Sequence, residues 1–245
     1  MNAHVLVKKC IIAEIYIARF TLKLNNKKVI IFDLDGTIIN SAPDLSFAVN
    51  YMLETLNRDT FSNDVIHGWV GNGALVLVKR ALSSDRMIDE TLDAKHVEEA
   101  LKIFLDFYAQ NLCNATIPYK NVPETLNTLK GKGYRLTIVT NKPFAFVEPI
   151  LKGLGLEGLF EFILGGDSLK EKKPDPMPLL HVCKTLDVNV KECVMVGDSK
   201  NDILAANACD MQSVGVTYGY NYGEDIGIYS PDIIINDFAE LLESL

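Results

Sequence analysis

Tryptophan occurs once and histidine four times in this chain, and no stretch concentrates the residues that bind zinc. His4, His67, His96 and His181 stand apart, which argues for surface or satisfied core roles rather than ligation. The five cysteines, Cys10, Cys113, Cys183, Cys193 and Cys209, are odd in number, scattered and free of any C-x-x-C spacing. That argues against a disulfide framework and for reduced thiols in the cytoplasm. Excess positive charge is missing too. Lysine and arginine number 24 against 32 aspartates and glutamates, a net charge of -8, so nothing draws the chain to nucleic acid or to an anionic membrane.

Long apolar runs are also lacking. Ile11 to Phe20 is interrupted by Glu14 and Arg19, is too short to span a bilayer, and is followed by no small-residue cleavage site. Residues 1–26 are therefore read as an N-terminal extension without an assigned role. Internal repeats, low-complexity tracts and charge runs are absent as well. What remains is ordinary for a globular protein: 48% hydrophobic and 23% charged residues, enough to build a core.

The most informative stretch runs from Lys28 to Thr37. Val29 to Phe32 is apolar without alternation, as expected for a strand covered on both faces of a parallel sheet. It stops at Asp33 and Asp35, two carboxylates one residue apart, and then at Gly36, where the backbone can turn freely. Two carboxylates so close invite a cation, since repulsion would otherwise keep one of them protonated. An Asp-Gly turn with no further role is the plainer alternative.

Beyond this strand the pattern changes. Leu45, Val49, Met52, Leu53 and Leu56 recur at helical steps after Asp44, which is expected to cap that helix. Val97, Leu101, Phe104, Leu105, Tyr108 and Leu112 mark a second long helix, with shorter pieces at 63–70 and 74–82 between them. Residues 44–114 thus read as an inserted helical cap domain. From Pro118 onward strands and helices alternate, with strands expected at 135–140, 160–164, 193–196, 213–216 and 232–235. The fold class is α/β, a doubly wound parallel sheet with a Rossmann-like core over 27–43 and 115–245.

Polar residues gather where these strands end. Thr140 and Asn141 follow one, Gly165-Gly166-Asp167 another, and Gly197-Asp198-Ser199 a third, with Asp202 one turn into the next helix. Asp33, Asp35 and Asp198 suit Mg²⁺, a hard cation that takes oxygen ligands and leaves room for a phosphate. Lys172-Lys173-Pro174 offers positive charge on a proline-stiffened turn, although a solvated lysine pair is the alternative.

Taken in order, Asp33-Leu34-Asp35-Gly36-Thr37, Thr140, Lys173 and Gly197-Asp198-Ser199-x-x-Asp202 resemble the four motifs of the haloacid dehalogenase-like hydrolase superfamily, across about residues 28–240. A finer resemblance is to the phosphoglycolate phosphatase family. It rests on Ser41-Ala42-Pro43, Trp69-Val70-Gly71-Asn72-Gly73-Ala74, Val139-Thr140-Asn141-Lys142-Pro143, Gly165-Gly166-Asp167-Ser168 and the run from Gly215 to Glu224. Three features depart from the family pattern: the N-terminal extension, Asn40 in place of aspartate, and Asp210 where glycine usually ends a helix.

The resemblance implies a Mg²⁺-dependent phosphatase that hydrolyses 2-phosphoglycolate, a small-molecule phosphate ester, through an aspartyl-phosphate. It implies Asp33 as nucleophile, Asp35 as general acid and then base, and Thr140, the Asn141 backbone and Lys173 as donors to the phosphoryl oxygens. Metal would be held by Asp33, the Asp35 carbonyl and Asp198, with Asp202 orienting from behind. Trp69, Gly71 and Asn72 form the candidate substrate-contact loop of the cap, the alternative being that Trp69 packs inside the cap and the glycines make a turn. A phosphatase or pyrophosphatase acting on another ester, a phosphomutase, and a non-enzymatic phospho-ligand sensor remain as rivals. Either a monomer or a homodimer is expected, with no nucleic acid or membrane partner.

Overall fold

The computed structural model describes residues 23–245. Most of the N-terminal extension, with His4 and Cys10, lies outside the described residues. Strand β1, Val29–Phe32, has all four residues buried. Because successive side chains of a strand point to opposite faces, Ile30 and Phe32 enter one apolar cluster, with Leu126 and Val196. Val29 and Ile31 enter another, with Leu179 and Met195. Covering on both faces explains the unbroken apolar run.

Two short strands, β2 (Ile39–Asn40) and β3 (Ile117–Pro118), pair antiparallel. The main sheet is completed by β4 (Arg135–Val139), β5 (Phe162–Leu164), β6 (Cys193–Gly197), β7 (Gln212–Val216) and β8 (Ile233–Ile235). It runs in the order β5-β4-β1-β6-β7-β8, and every pair is parallel. The chain leaves β1 on one side through β4 to β5, then returns to its other side for β6 to β8. That reversal opens a crevice at the carboxyl end of β1, where ligands of open parallel sheets sit.

Four helices are inserted between β2 and β3: α1 (Ala42–Thr55), α2 (Asn63–His67), α3 (Ala74–Ser83) and α4 (Ala94–Ala109). They enclose their own apolar cluster, which includes Val49, Met52, Trp69, Val78, Phe104 and Tyr108. Helices α5 (Val122–Gly131), α6 (Phe144–Gly153), α7 (Met177–Leu186) and α8 (Lys200–Asn207) flank the sheet, and α9 (Leu241–Ser244) closes the chain. Among the described residues no helix is long and apolar enough to cross a membrane.

One local expectation is corrected. Asp44 does not cap α1, because Pro43 starts the helix earlier and Ser41 occupies the cap position. Asp44 is instead buried inside the first turn. Its carboxylate accepts from the Ala115 N–H at 3.0 Å, the Thr116 N–H at 2.8 Å and the Thr116 hydroxyl at 2.7 Å, tying the two ends of the insertion together. The carboxylate that sequence reading assigned to helix capping serves a contact between residues far apart in the chain.

Candidate active site

The site is organised by strand register. Phe32 of β1 lies opposite Ile138 of β4 and Val196 of β6, so Asp33, Thr140 and Asp198 leave three adjacent strands side by side. Asp33, Asp198 and Asp202 each bring a carboxylate oxygen within 4.8 Å of the others, and all three residues are buried. Asp198 is held by the Thr37 hydroxyl at 2.8 Å and the Tyr220 N–H at 2.7 Å. Gly36 makes that packing possible: its φ is +91°, and a Cβ there would stand 2.3 Å from Asp198 Oδ2.

Asp202 belongs to a capping box at the start of α8, where the Ser199 N–H and hydroxyl donate to its Oδ2 at 3.0 and 2.8 Å. Its other oxygen receives Lys173 Nζ at 2.6 Å. Lys173, 2% exposed, also lies 2.9 Å from Asp33 Oδ1. It is a buried ion-pair partner, unlike half-buried Lys172.

Burial drives the electrostatics. It pushes the Asp33 carboxyl up to about 6, with Lys173 opposing and Asp202 adding to the rise. Asp198 is raised well above the ordinary carboxylate range by burial and then by Asp202 and Asp33. Burial alone would lower Lys173, but Asp202 and Asp33 outweigh it and hold the ammonium above its usual value. Asp33 Oδ1 is buried without a hydrogen bond that completes it, despite its ion pair with Lys173. Clustered, crowded carboxylate oxygens with one left unsatisfied are a donor set that fits a hard divalent cation.

Asp35 points elsewhere. Its Oδ1 accepts from the Ser41 hydroxyl at 2.5 Å, and Lys142 Nζ lies 3.0 and 3.1 Å from its two oxygens. The same ammonium donates to the Tyr108 hydroxyl at 2.8 Å. Sequence reading assigned no role to Ser41, Lys142 or Tyr108. Lys142 was findable, since it lies two residues past Thr140 at a strand end; Tyr108 was not, because its spacing from Phe104 reads as helix core.

Asp33, Asp35, Thr140, Asn141, Lys142 and Lys173 line one cavity of about 40 Å³. The insertion lines it with Leu45, Val70, Leu77, Phe104 and Tyr108, and contributes no cation to the lining. Of the three loop residues expected to meet substrate, only Gly71 lines this cavity. Trp69 turns inward, 5% exposed, against Phe61 with ring centroids 5.0 Å apart. Asn72 faces away, its side-chain oxygen accepting from the Tyr222 hydroxyl at 2.5 Å and its carbonyl from Lys172 Nζ at 2.8 Å. Gly71 is held to the sheet side, because its carbonyl accepts from Asn141 Nδ2 at 3.2 Å and Asn201 Nδ2 at 3.1 Å.

Fold and site together define a doubly wound α/β protein of Rossmann-like topology, with a buried cluster of aspartates and lysine at the carboxyl end of its sheet and a helical insertion beside it. Comparison with known proteins gives the class its family. Residues 30–216 match the model of the haloacid dehalogenase-like hydrolases, and the chain belongs to that family. It is 55% identical over 224 residues to a phosphoglycolate phosphatase of Colwellia psychrerythraea, covering 91% of this chain and 99% of that one. A phosphoglycolate phosphatase of Psychrobacter arcticus is 46% identical, over 90% of this chain and 96% of its own. Among solved structures, a predicted phosphoglycolate phosphatase from Haemophilus somnus superposes with a TM-score of 0.83 at 41% identity, covering 89% of this chain and 98% of that chain.

Proposed function

We propose that this protein is a Mg²⁺-dependent phosphatase that hydrolyses 2-phosphoglycolate to glycolate and inorganic phosphate. The observation that carries the reading is the buried group of Asp33, Lys173, Asp198 and Asp202 beside a small cavity whose other polar wall holds Asp35. The names of the relatives at 55% and 46% identity support the substrate.

In this reading an Asp33 carboxylate oxygen bonds to phosphorus while the ester P–O bond breaks, and Asp35 gives its proton to the departing glycolate oxygen. Water next attacks phosphorus, Asp35 takes the proton of that water, and the Asp33–phosphorus bond breaks to release inorganic phosphate. Thr140, the Asn141 backbone and Lys173 donate to the phosphoryl oxygens as charge spreads. Asp202 holds Lys173 in place. The Asp33 carboxylate, the Asp35 carbonyl and the Asp198 carboxylate would hold Mg²⁺, which when bound screens the repulsion between nucleophile and phosphate.

Residues 44–114 act as a cap on a core of 27–43 and 115–245, sealing the cavity while substrate is bound. A small cavity walled by Leu45, Leu77 and Phe104 suits a leaving group of few atoms. A cap lining without a cation gives a phosphomutase nothing to hold a sugar that must receive phosphate back. The net charge of -8 and the scattered cysteines support a cytoplasmic enzyme, monomeric or homodimeric, that binds neither nucleic acid nor membrane.

A phosphate-release screen with Mg²⁺ over 2-phosphoglycolate, sugar phosphates, nucleotides and pyrophosphate tests the reading. Turnover is expected to be fastest on 2-phosphoglycolate and absent in Asp33→Asn. Binding of phosphate esters without release of phosphate from any of them would make the protein a sensor instead, and full activity in excess chelator would remove Mg²⁺.

A further inference from the structure

We infer that Lys142 and Tyr108 position Asp35 for proton transfer, through a contact that joins the core to the insertion. This rests on Asp35 being the acid of the proposed reaction. Lys142 leaves the strand end that carries Thr140, and it is 4% exposed. An ammonium has three protons and no acceptor. Here it reaches Asp35 Oδ1 at 3.0 Å, Oδ2 at 3.1 Å and the Tyr108 hydroxyl at 2.8 Å, and the nitrogen also stands 4.8 Å from the centre of the Tyr108 ring; when Asp35 carries the proton it gives, that proton sits on Oδ2 and the ammonium keeps its hold on Oδ1 and Tyr108.

Every partner of that ammonium is thus accounted for, and one comes from the other side of the cavity. Tyr108 lies on α4 of the insertion, 1% exposed, with its ring edge-on to Phe146 at 5.3 Å and stacked on Phe104 at 5.8 Å. Those rings fix where its hydroxyl points. It is the one polar side chain that the insertion brings to the cavity wall. Burial raises the phenol to about 12, so it stays a neutral hydroxyl that accepts from the ammonium. Without that acceptor a buried proton of Lys142 has no partner, and the ammonium must swing or admit water. Either change loosens its grip on the Asp35 carboxyl. Lys142 and Tyr108 are therefore positioning residues: they act through Asp35.

The test uses leaving groups of similar size and different need for a proton. 2-Phosphoglycolate releases an alkoxide-like oxygen that needs the acid, whereas acetyl phosphate releases acetate, which does not. Rapid-quench measurement of phosphoenzyme formation isolates the step. For Tyr108→Phe the rate on 2-phosphoglycolate is expected to fall about tenfold, and for Lys142→Met about 100-fold, at the lower end of what general acid catalysis supplies. On acetyl phosphate both variants should lose at least about fivefold less than they lose on 2-phosphoglycolate, and Lys142→Arg should recover part of the loss. Equal losses on the two substrates, or no loss in Tyr108→Phe, would overturn the inference while leaving the phosphatase intact. Wild-type protein that forms no phosphoenzyme from either ester would instead bring down the parent reading.

Discussion

Lys173 Nζ lies 2.6 Å from Asp202 Oδ1, with both side chains sealed from solvent, and the same ammonium is 2.9 Å from Asp33. A loop residue and a helix cap, 29 positions apart, thus hold the charge balance at the end of a third element.

Removing the lysine should therefore unbalance more than one contact. Lys173→Met leaves two buried carboxylates without their cation, and a broken buried pair typically costs about 3–5 kcal/mol. Urea denaturation of the metal-free protein is expected to show a loss of that size, together with a fall in turnover of at least about 100-fold. A stability loss below about 1 kcal/mol would equate the contact with a surface pair.

Metal binding should depend on pH in a defined direction. Asp33 is raised from 3.8 to about 6 by burial, so its contribution to folding stability is fully present below about 3.8 and is lost as pH rises through about 6. A metal needs the ionised form and must release that proton. Mg²⁺ affinity is therefore expected to fall about tenfold per pH unit below about 6, with Asp198, raised in the same direction, steepening the slope. Calorimetric titration at pH 5, 6, 7 and 8 checks this; a flat profile would contradict it.

Trp69 belongs to the insertion's interior, and its substitution should read out there. Trp69→Phe is expected to leave KM for the ester within about twofold of wild type while lowering the melting temperature, since Trp69→Ala at such a site costs about 3–5 kcal/mol. A large rise in KM at unchanged stability would return Trp69 to the substrate.

Asp210 offers a stabilising change. It sits past the end of α8 with a φ of +54°, in the left-handed region where glycine carries no Cβ penalty. Asp210→Gly is expected to raise stability by about 0.5–1 kcal/mol without altering activity, because its hydrogen bonds are made by the backbone, the N–H donating to the Asn207 carbonyl at 3.3 Å and the carbonyl accepting from Lys191 Nζ at 2.8 Å. Differential scanning calorimetry beside an activity assay measures both.

Sequence periodicity was most reliable where one physical rule acted alone. The unbroken apolar run at Val29–Phe32 marked a strand buried on both faces. Asp44 misled because a carboxylate near a helix start has two uses, and only a partner more than 70 positions away separates them. Trp69 stayed open between two readings for a similar reason: an aromatic residue before a glycine turn can face a ligand or a core, and local spacing is the same for both.

The chain alone decided which chemistry could exist here. Its apolar runs dictate a parallel sheet, and side chains that follow a strand must emerge at its carboxyl end. Asp33, Thr140 and Asp198 were thereby committed to one edge of the sheet. Partnership was decided only by the folded molecule, since pairing depends on strand order and helix packing across more than a hundred residues. Adjacent strands set Asp33 beside Asp198, the insertion carried Tyr108 to Lys142, and Lys142 in turn reached Asp35. Distance in space is no function of distance along the chain, and catalytic geometry is made of the former.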